Sequence, residues 1–170
     1  ANFCMDKIKV IINNKQKEVK VPTGLRMIVR RCCNAVLRTE EFDSSAEVSI
    51  TFVNNEQIRE LNNKYRQKNV PTDVLSFPMG KDGVYDEDPA TGAKILGDVI
   101  ISLEKAQEQA QKYGNTLQKE ISHLTVHGVL HLLGYVHENG GIEKVKMRDK
   151  EELIMAKMGF IGGVSYYYNK

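Results

Sequence analysis

Three of the four histidines in the chain stand within the eleven residues His127-Gly-Val-Leu-His131-Leu-Leu-Gly-Tyr-Val-His137. Imidazoles four residues apart on a helix lie on one face, one turn above the other, so His127 and His131 can reach a common ion. Gly134 follows the second of them. A glycine takes the left-handed conformation that ends a helix, and the chain can turn back there to bring His137 to the same point from another side. Three neutral imidazoles fill three corners of a tetrahedral zinc ion and leave the fourth open, the layout of a catalytic rather than a structural site. The spacing marks His127, His131 and His137 as metal ligands, with one zinc per chain. The bland alternative is a set of unrelated histidines on a half-buried helix.

The same spacing belongs to zinc proteases whose motif begins His-Glu, where the glutamate is the base that activates the water on the metal. Here the position is Gly128, which cannot move a proton. The metal reading stands and the protease reading loses its base. His123 and Glu120 lie near the ligand stripe. Each is either a chemical group or something plainer: a histidine that supports a ligand or fills the core, and an exposed helical acid.

At 170 residues the chain is one expected domain, 1–170, with residues 1–4 an extension ahead of Met5 and 160–170 a tail. A hydrophobic share of 41% is ordinary for a globular protein, and no apolar run is long enough to span a bilayer. With no signal-peptide pattern at the start, the expectation is a soluble cytoplasmic protein without a membrane partner. Cys4, Cys32 and Cys33 are odd in number and two are adjacent, which suits reduced thiols; the pair reads as packing in an apolar helix face. The net charge of +2 is unevenly spread. Residues 7–38 hold nine Lys and Arg against Glu18, while 82–98 hold five acids against Lys94. The basic stretch is either a polyanion surface, fit for RNA, or a solvated helix face.

The elements that must position these groups follow from periodicity. Lys7–Asn13 reads as a strand, with Glu18–Val21 extending or pairing with it. Pro22 and Thr23 open a helix whose apolar set is Leu25, Ile28, Val29, Cys32 and Val36, leaving Arg26, Arg30 and Arg31 towards water. Glu47–Val53 alternates as a half-buried strand. Asn54 or Asn55 caps a helix that presents Ile58, Leu61, Asn62 and Tyr65 on one face and closes at Arg66. Thr72–Pro78 is a short strand between prolines, and Met79–Lys94 is a long polar loop of the kind used for lids. Ile95–Ile101 is again a strand; Ser102 caps a helix through Lys112 that Gly114 ends, Thr116 caps Leu117–Leu133, and a last helix runs from Ile142 to Met158. The tail through Tyr166-Tyr167-Tyr168 has no usable period. Alternating strands and helices predict an α/β (α+β) domain, a mixed sheet of about four strands covered by helices, with the histidine helix over the sheet.

His127-Gly-x-Leu-His131-Leu-x-Gly-Tyr-x-His137, Leu61-Asn62-x-x-Tyr65-Arg66, Thr72-Asp73-Val74-Leu75-Ser76-Phe77-Pro78 and Leu96-Gly97-Asp98-Val99 together resemble the YbeY family of zinc-dependent endoribonucleases over about Ile50–Gly159. The resemblance implies a single-strand-specific endoribonuclease that matures the 3′ end of small-subunit ribosomal RNA and acts in ribosome quality control, with zinc on the three histidines. It also implies ribosomal RNA and the small subunit as partners and a role in activity for Arg66. A non-catalytic zinc-bearing assembly factor is the alternative, and a zincin-like protease a weaker one. One departure is visible: members usually carry Asp before the last histidine, and this chain has Val136. An acid there would orient the imidazole; Glu138 or Asp149 are the substitutes at hand.

Overall fold

The structure, a computed structural model, describes residues 8–137 and 140–169. The expected extension at residues 1–4 and Glu138 lie outside them. Strand β1 (Ile8–Asn14), helix α1 (Leu25–Thr39), strand β2 (Ala46–Val53), helix α2 (Asn55–Arg66) and strand β3 (Val74–Pro78) form the first half. The short strands β4 (Gly80–Lys81) and β5 (Val84–Tyr85) follow, then β6 (Lys94–Ser102), α3 (Leu103–Tyr113), α4 (Leu117–Leu132), α5 (Gly141–Lys157) and α6 (Ser165–Tyr168). The main sheet has the order β1-β2-β6-β3. The first three strands are parallel, and β3 runs antiparallel to β6. The expected mixed four-stranded α+β domain is what forms.

Period-two alternation decides which residues face which layer. Val48, Ile50 and Phe52 of β2, with Val99 and Ile101 of β6, join the large core under α1, α4 and α5. Leu75 and Phe77 of β3 and Ile100 of β6 turn the other way, where Ile58 and Leu61 of α2 meet them. Helix α1 buries Leu25, Val29, Cys32, Cys33 and Val36, as its apolar spacing requires, and leaves Arg26, Arg30 and Arg31 exposed.

The caps form nearly as the residues predict. Asn54 closes a capping box with Gln57, and Ser102 and Thr116 accept from the backbone N–H groups of Lys105 and Lys119. Helix α1 differs, entering through Gly24 at φ 84 rather than through Thr23. Two other segments depart from expectation. Glu18–Val21 is not a strand, because the Gln16 side chain satisfies both the N–H and the C=O of Val19 at 2.9 Å and holds the segment in a turn. The stretch expected to be a lid-like loop contains the β4–β5 hairpin, turned through Asp82 (φ 53) and Gly83 (φ 78), a pair of positive φ values that Asp-Gly tolerates. The Tyr85 hydroxyl donates to Leu132 O at 3.1 Å, which pins that hairpin to the end of α4.

Candidate metal centre

Helix α4 carries the first two ligand histidines and is buried along almost its whole length between the sheet and α1, α3 and α5. Gly128 allows the close approach: a Cβ there would meet Val99 Cγ1 at 2.5 Å, while Ser76 Oγ donates to Gly128 O at 3.2 Å. The position that holds the base in His-Glu proteases is therefore packed on the sheet, with no room for a side chain. The helix ends as a Schellman turn, with Tyr135 N bonded to Leu130 O at 3.1 Å, Gly134 N to His131 O at 3.0 Å, and Gly134 at φ 104. The reversal brings His137 back over the helix, with its ring centroid 4.8 Å from that of His127 and 5.1 Å from that of His131.

One nitrogen from each of His127, His131 and His137 lies within 4.8 Å of the others. The tautomers say what the convergence is for. His127 Nδ1 donates to Glu151 Oε2 at 2.9 Å, and His131 Nδ1 donates to Tyr135 O at 2.6 Å. Both acceptors lack hydrogens, so both protons sit on Nδ1, and the two Nε2 atoms face each other at 3.1 Å as lone pairs. Two bare lone pairs at that distance repel; a cation between them removes the repulsion. Nitrogens on one tetrahedral zinc stand about 3.3 Å apart. Burial first, and then the neighbouring His127 and His137, push the His131 imidazole down to about 3, so it stays neutral and able to ligate. The donor set fits a divalent metal. Among the described residues no fourth His, Cys, Asp or Glu joins these three.

Behind the ligands lies a buried acid that the motif reading did not include. Glu151 on α5 is wholly buried and bonds both His127 and His123. Burial would raise its carboxyl, but the two imidazoles outweigh burial and hold it well below the usual carboxylate range. It gives His127 the acceptor that fixes a ligand's tautomer, and its charge offsets that of a bound cation. Its sequence signal is an acid in the apolar stripe Met147, Glu151, Ile154, where an unpartnered charge would be costly. Asp149 is no substitute for the missing acid at 136, since it is exposed and pairs with Arg148 at 3.4 Å. Val136 itself is 44% exposed at the cleft edge.

His123 does not join the ligand group; it is fully buried against Glu151. Glu120, expected to be exposed, is also fully buried, accepting from Gln109 at 2.8 Å and from the Tyr166 hydroxyl at 3.0 Å. Arg66 borders the same cleft as the histidines: the end of α2 and strand β3 line a cleft of about 950 Å³ that is also lined by His127, His131 and His137. Lys68, Lys144, Tyr65 and Tyr167 line it as well. Arg26, Arg30 and Arg31 lie outside that cleft, and Arg26 Nη1 donates to Ile12 O at 3.2 Å.

Comparison with known proteins agrees with this geometry. A protein from Caldanaerobacter subterraneus subsp. tengcongensis, named endoribonuclease YbeY, is 45% identical over 160 residues, 89% of this chain and 98% of its own length. One of the same name from Alkaliphilus metalliredigens is 40% identical over 154 residues, 91% of this chain and 97% of its own. The solution structure of TM1509 from Thermotoga maritima shares the fold, with a TM-score of 0.56 at 24% identity over 88% of this chain and 91% of that one. With the family model described as endoribonuclease YbeY matching residues 11–159, the chain belongs to the YbeY endoribonuclease family.

Proposed function

We propose that this chain is a zinc-dependent, single-strand-specific endoribonuclease. It works in the cytoplasm on ribosomal RNA, maturing the 3′ end of the small-subunit RNA and serving ribosome quality control in contact with the small subunit. The whole span 1–170 is one metallohydrolase domain. Family membership supports the reaction class, and the observation that carries the metal is the pair of Nε2 lone pairs at 3.1 Å with both Nδ1 protons committed elsewhere.

His127, His131 and His137 hold the zinc. Bound there, the ion supplies Lewis acidity, polarising a phosphoryl oxygen and lowering the pKa of water towards neutrality. Glu151 and the Tyr135 carbonyl keep the Nδ1 protons of His127 and His131 in place, so both ligands present Nε2 without rearranging. Arg66, across the cleft, grips two oxygens of the scissile phosphate through its planar fork and offsets the charge that builds there. The basic face of α1 holds further phosphates away from the reacting bond.

The test is to incubate the purified protein, with and without chelator, with single-stranded RNA, duplex RNA and casein. Cleavage of the single strand alone, abolished by chelator and restored by zinc, is the expected result. Chelator-insensitive cleavage or loss of casein would overturn the reading.

A further inference from the structure

Residues 160–169 lie beyond the stretch that the family model matches, which ends at 159, yet one of them, Tyr167, lines the metal cleft. Val164 is fully buried, and Glu152 of α5 accepts from the Ser165 hydroxyl at 3.1 Å and from Val164 N at 3.4 Å. The next three hydroxyls each go to a different carboxylate. Tyr166 donates to Glu120 at 3.0 Å, Tyr167 to Asp73 ahead of β3, and Tyr168 to Glu151. The C-terminal turn is thus tied to α4, β3 and α5 at once.

The Tyr167 ring is held rigidly by this arrangement. It meets His123 edge-on at 4.7 Å between centroids and stands 5.2 Å from Tyr168 and 5.2 Å from the ligand His127. It is half-buried, and its remaining surface lines the cleft that holds Arg66, Lys68 and Lys144. Cations that track phosphates beside an aromatic ring that can take a base are the combination with which proteins bind single-stranded nucleic acid. A ring fixed through its hydroxyl loses little further freedom when a ligand arrives, so the stacking surface is pre-organised.

We propose that Tyr167 is a substrate-contacting residue whose ring, delivered by the C-terminal turn, stacks on a nucleobase next to the scissile phosphate. This rests on the ribonuclease function proposed for the metal centre. A duplex keeps its bases stacked on one another, so the same ring helps select an unpaired strand.

Steady-state kinetics on a single-stranded RNA oligonucleotide, with zinc content measured alongside, test it. Tyr167→Leu raises KM about tenfold while kcat stays within about threefold and zinc is retained, and Tyr167→Phe, which keeps the ring, recovers most of that loss. In an oligonucleotide series with one abasic position moved along the strand, one position next to the cut raises the parent's KM, and Tyr167→Leu adds nothing further on that substrate. A parent-like KM for Tyr167→Leu would overturn the proposal. So would damage by Tyr167→Phe equal to that by Tyr167→Leu, because the Asp73 hydrogen bond would then be the part that matters. The abasic series uses the parent enzyme, so a series with no sensitive position overturns the proposal even where Tyr167→Leu fails to fold. A parent that leaves every RNA uncut overturns the ribonuclease function itself, and the stacking role with it.

Discussion

His127 is held from both ends of its ring, with Nδ1 on Glu151 and Nε2 on the ligand point, and that double commitment makes its neighbourhood measurable. Each of His127→Ala, His131→Ala and His137→Ala removes one of three protein ligands, so metal analysis of the purified variants should find most of the zinc gone. Full occupancy in all three would refute the site. Glu151→Gln keeps the size of the side chain but withdraws its charge from the buried pair of imidazoles; chelator competition should show zinc affinity about 10- to 100-fold weaker. Arg66 tests geometry rather than charge. A lysine ammonium cannot hold two oxygens in one plane, so Arg66→Lys should lose nearly as much rate as Arg66→Ala, roughly 10² to 10³ by analogy with the loss of one oxyanion donor. Zinc content and melting temperature should hardly move. Cleavage by Arg66→Ala within about threefold of the parent at equal zinc loading would leave Arg66 outside the mechanism.

Helix α1 has two unlike faces. Its buried face, Leu25, Val29, Cys32, Cys33 and Val36, holds it against α4 and α5, which leaves Arg26, Arg30 and Arg31 in solvent on the other side. If these hold phosphates, reversing their charge should weaken RNA binding and reduce the salt slope by about one unit for each phosphate no longer neutralised, with zinc unchanged. An unchanged slope measured between low and moderate salt would assign the face to solvent. The ends of helices were legible in the residues because capping is local: Asn54, Ser102 and Thr116 each satisfy an N–H three residues on. The β4–β5 hairpin was not read from the residues: Asp82-Gly83 is a turn signal, but four strand residues amid Gly, Asp and Pro leave almost no alternation to go with it.

Taken whole, the fold keeps two thiols in its main core. Burial pushes Cys32 up to about 12 and raises Cys33 further still. A thiol whose folded pKa lies above its unfolded value stabilises the fold fully below that unfolded value, about 8.5, and the contribution is lost as pH rises towards the folded one. Stability in urea should therefore fall between about pH 9 and pH 12, and Cys32→Ala, less stable at neutral pH for its lost packing, should lose less over that window. Equal alkaline slopes in parent and variant would count against the buried thiol as the cause.

Periodicity is local, and what it governs could be read from the chain: the two ligands one turn apart, the turn at Gly134 that returns His137, the strand faces of β2 and the apolar stripe of α1. Proximity in space is not local. Glu151 lies 24 residues beyond His127 on a different helix, Arg66 arrives from the far side of the sheet, and the tail places Tyr167 against His127, 40 positions earlier in the chain. Nothing in the spacing of Tyr166-Tyr167-Tyr168 selects Glu120, Asp73 and Glu151 as partners. Those pairings exist because α4 packs on the sheet and α5 packs on α4, so that Glu120, Glu151 and Asp73 ahead of β3 are all buried with lone pairs that require donors, and the segment that lies across them last supplies its hydroxyls.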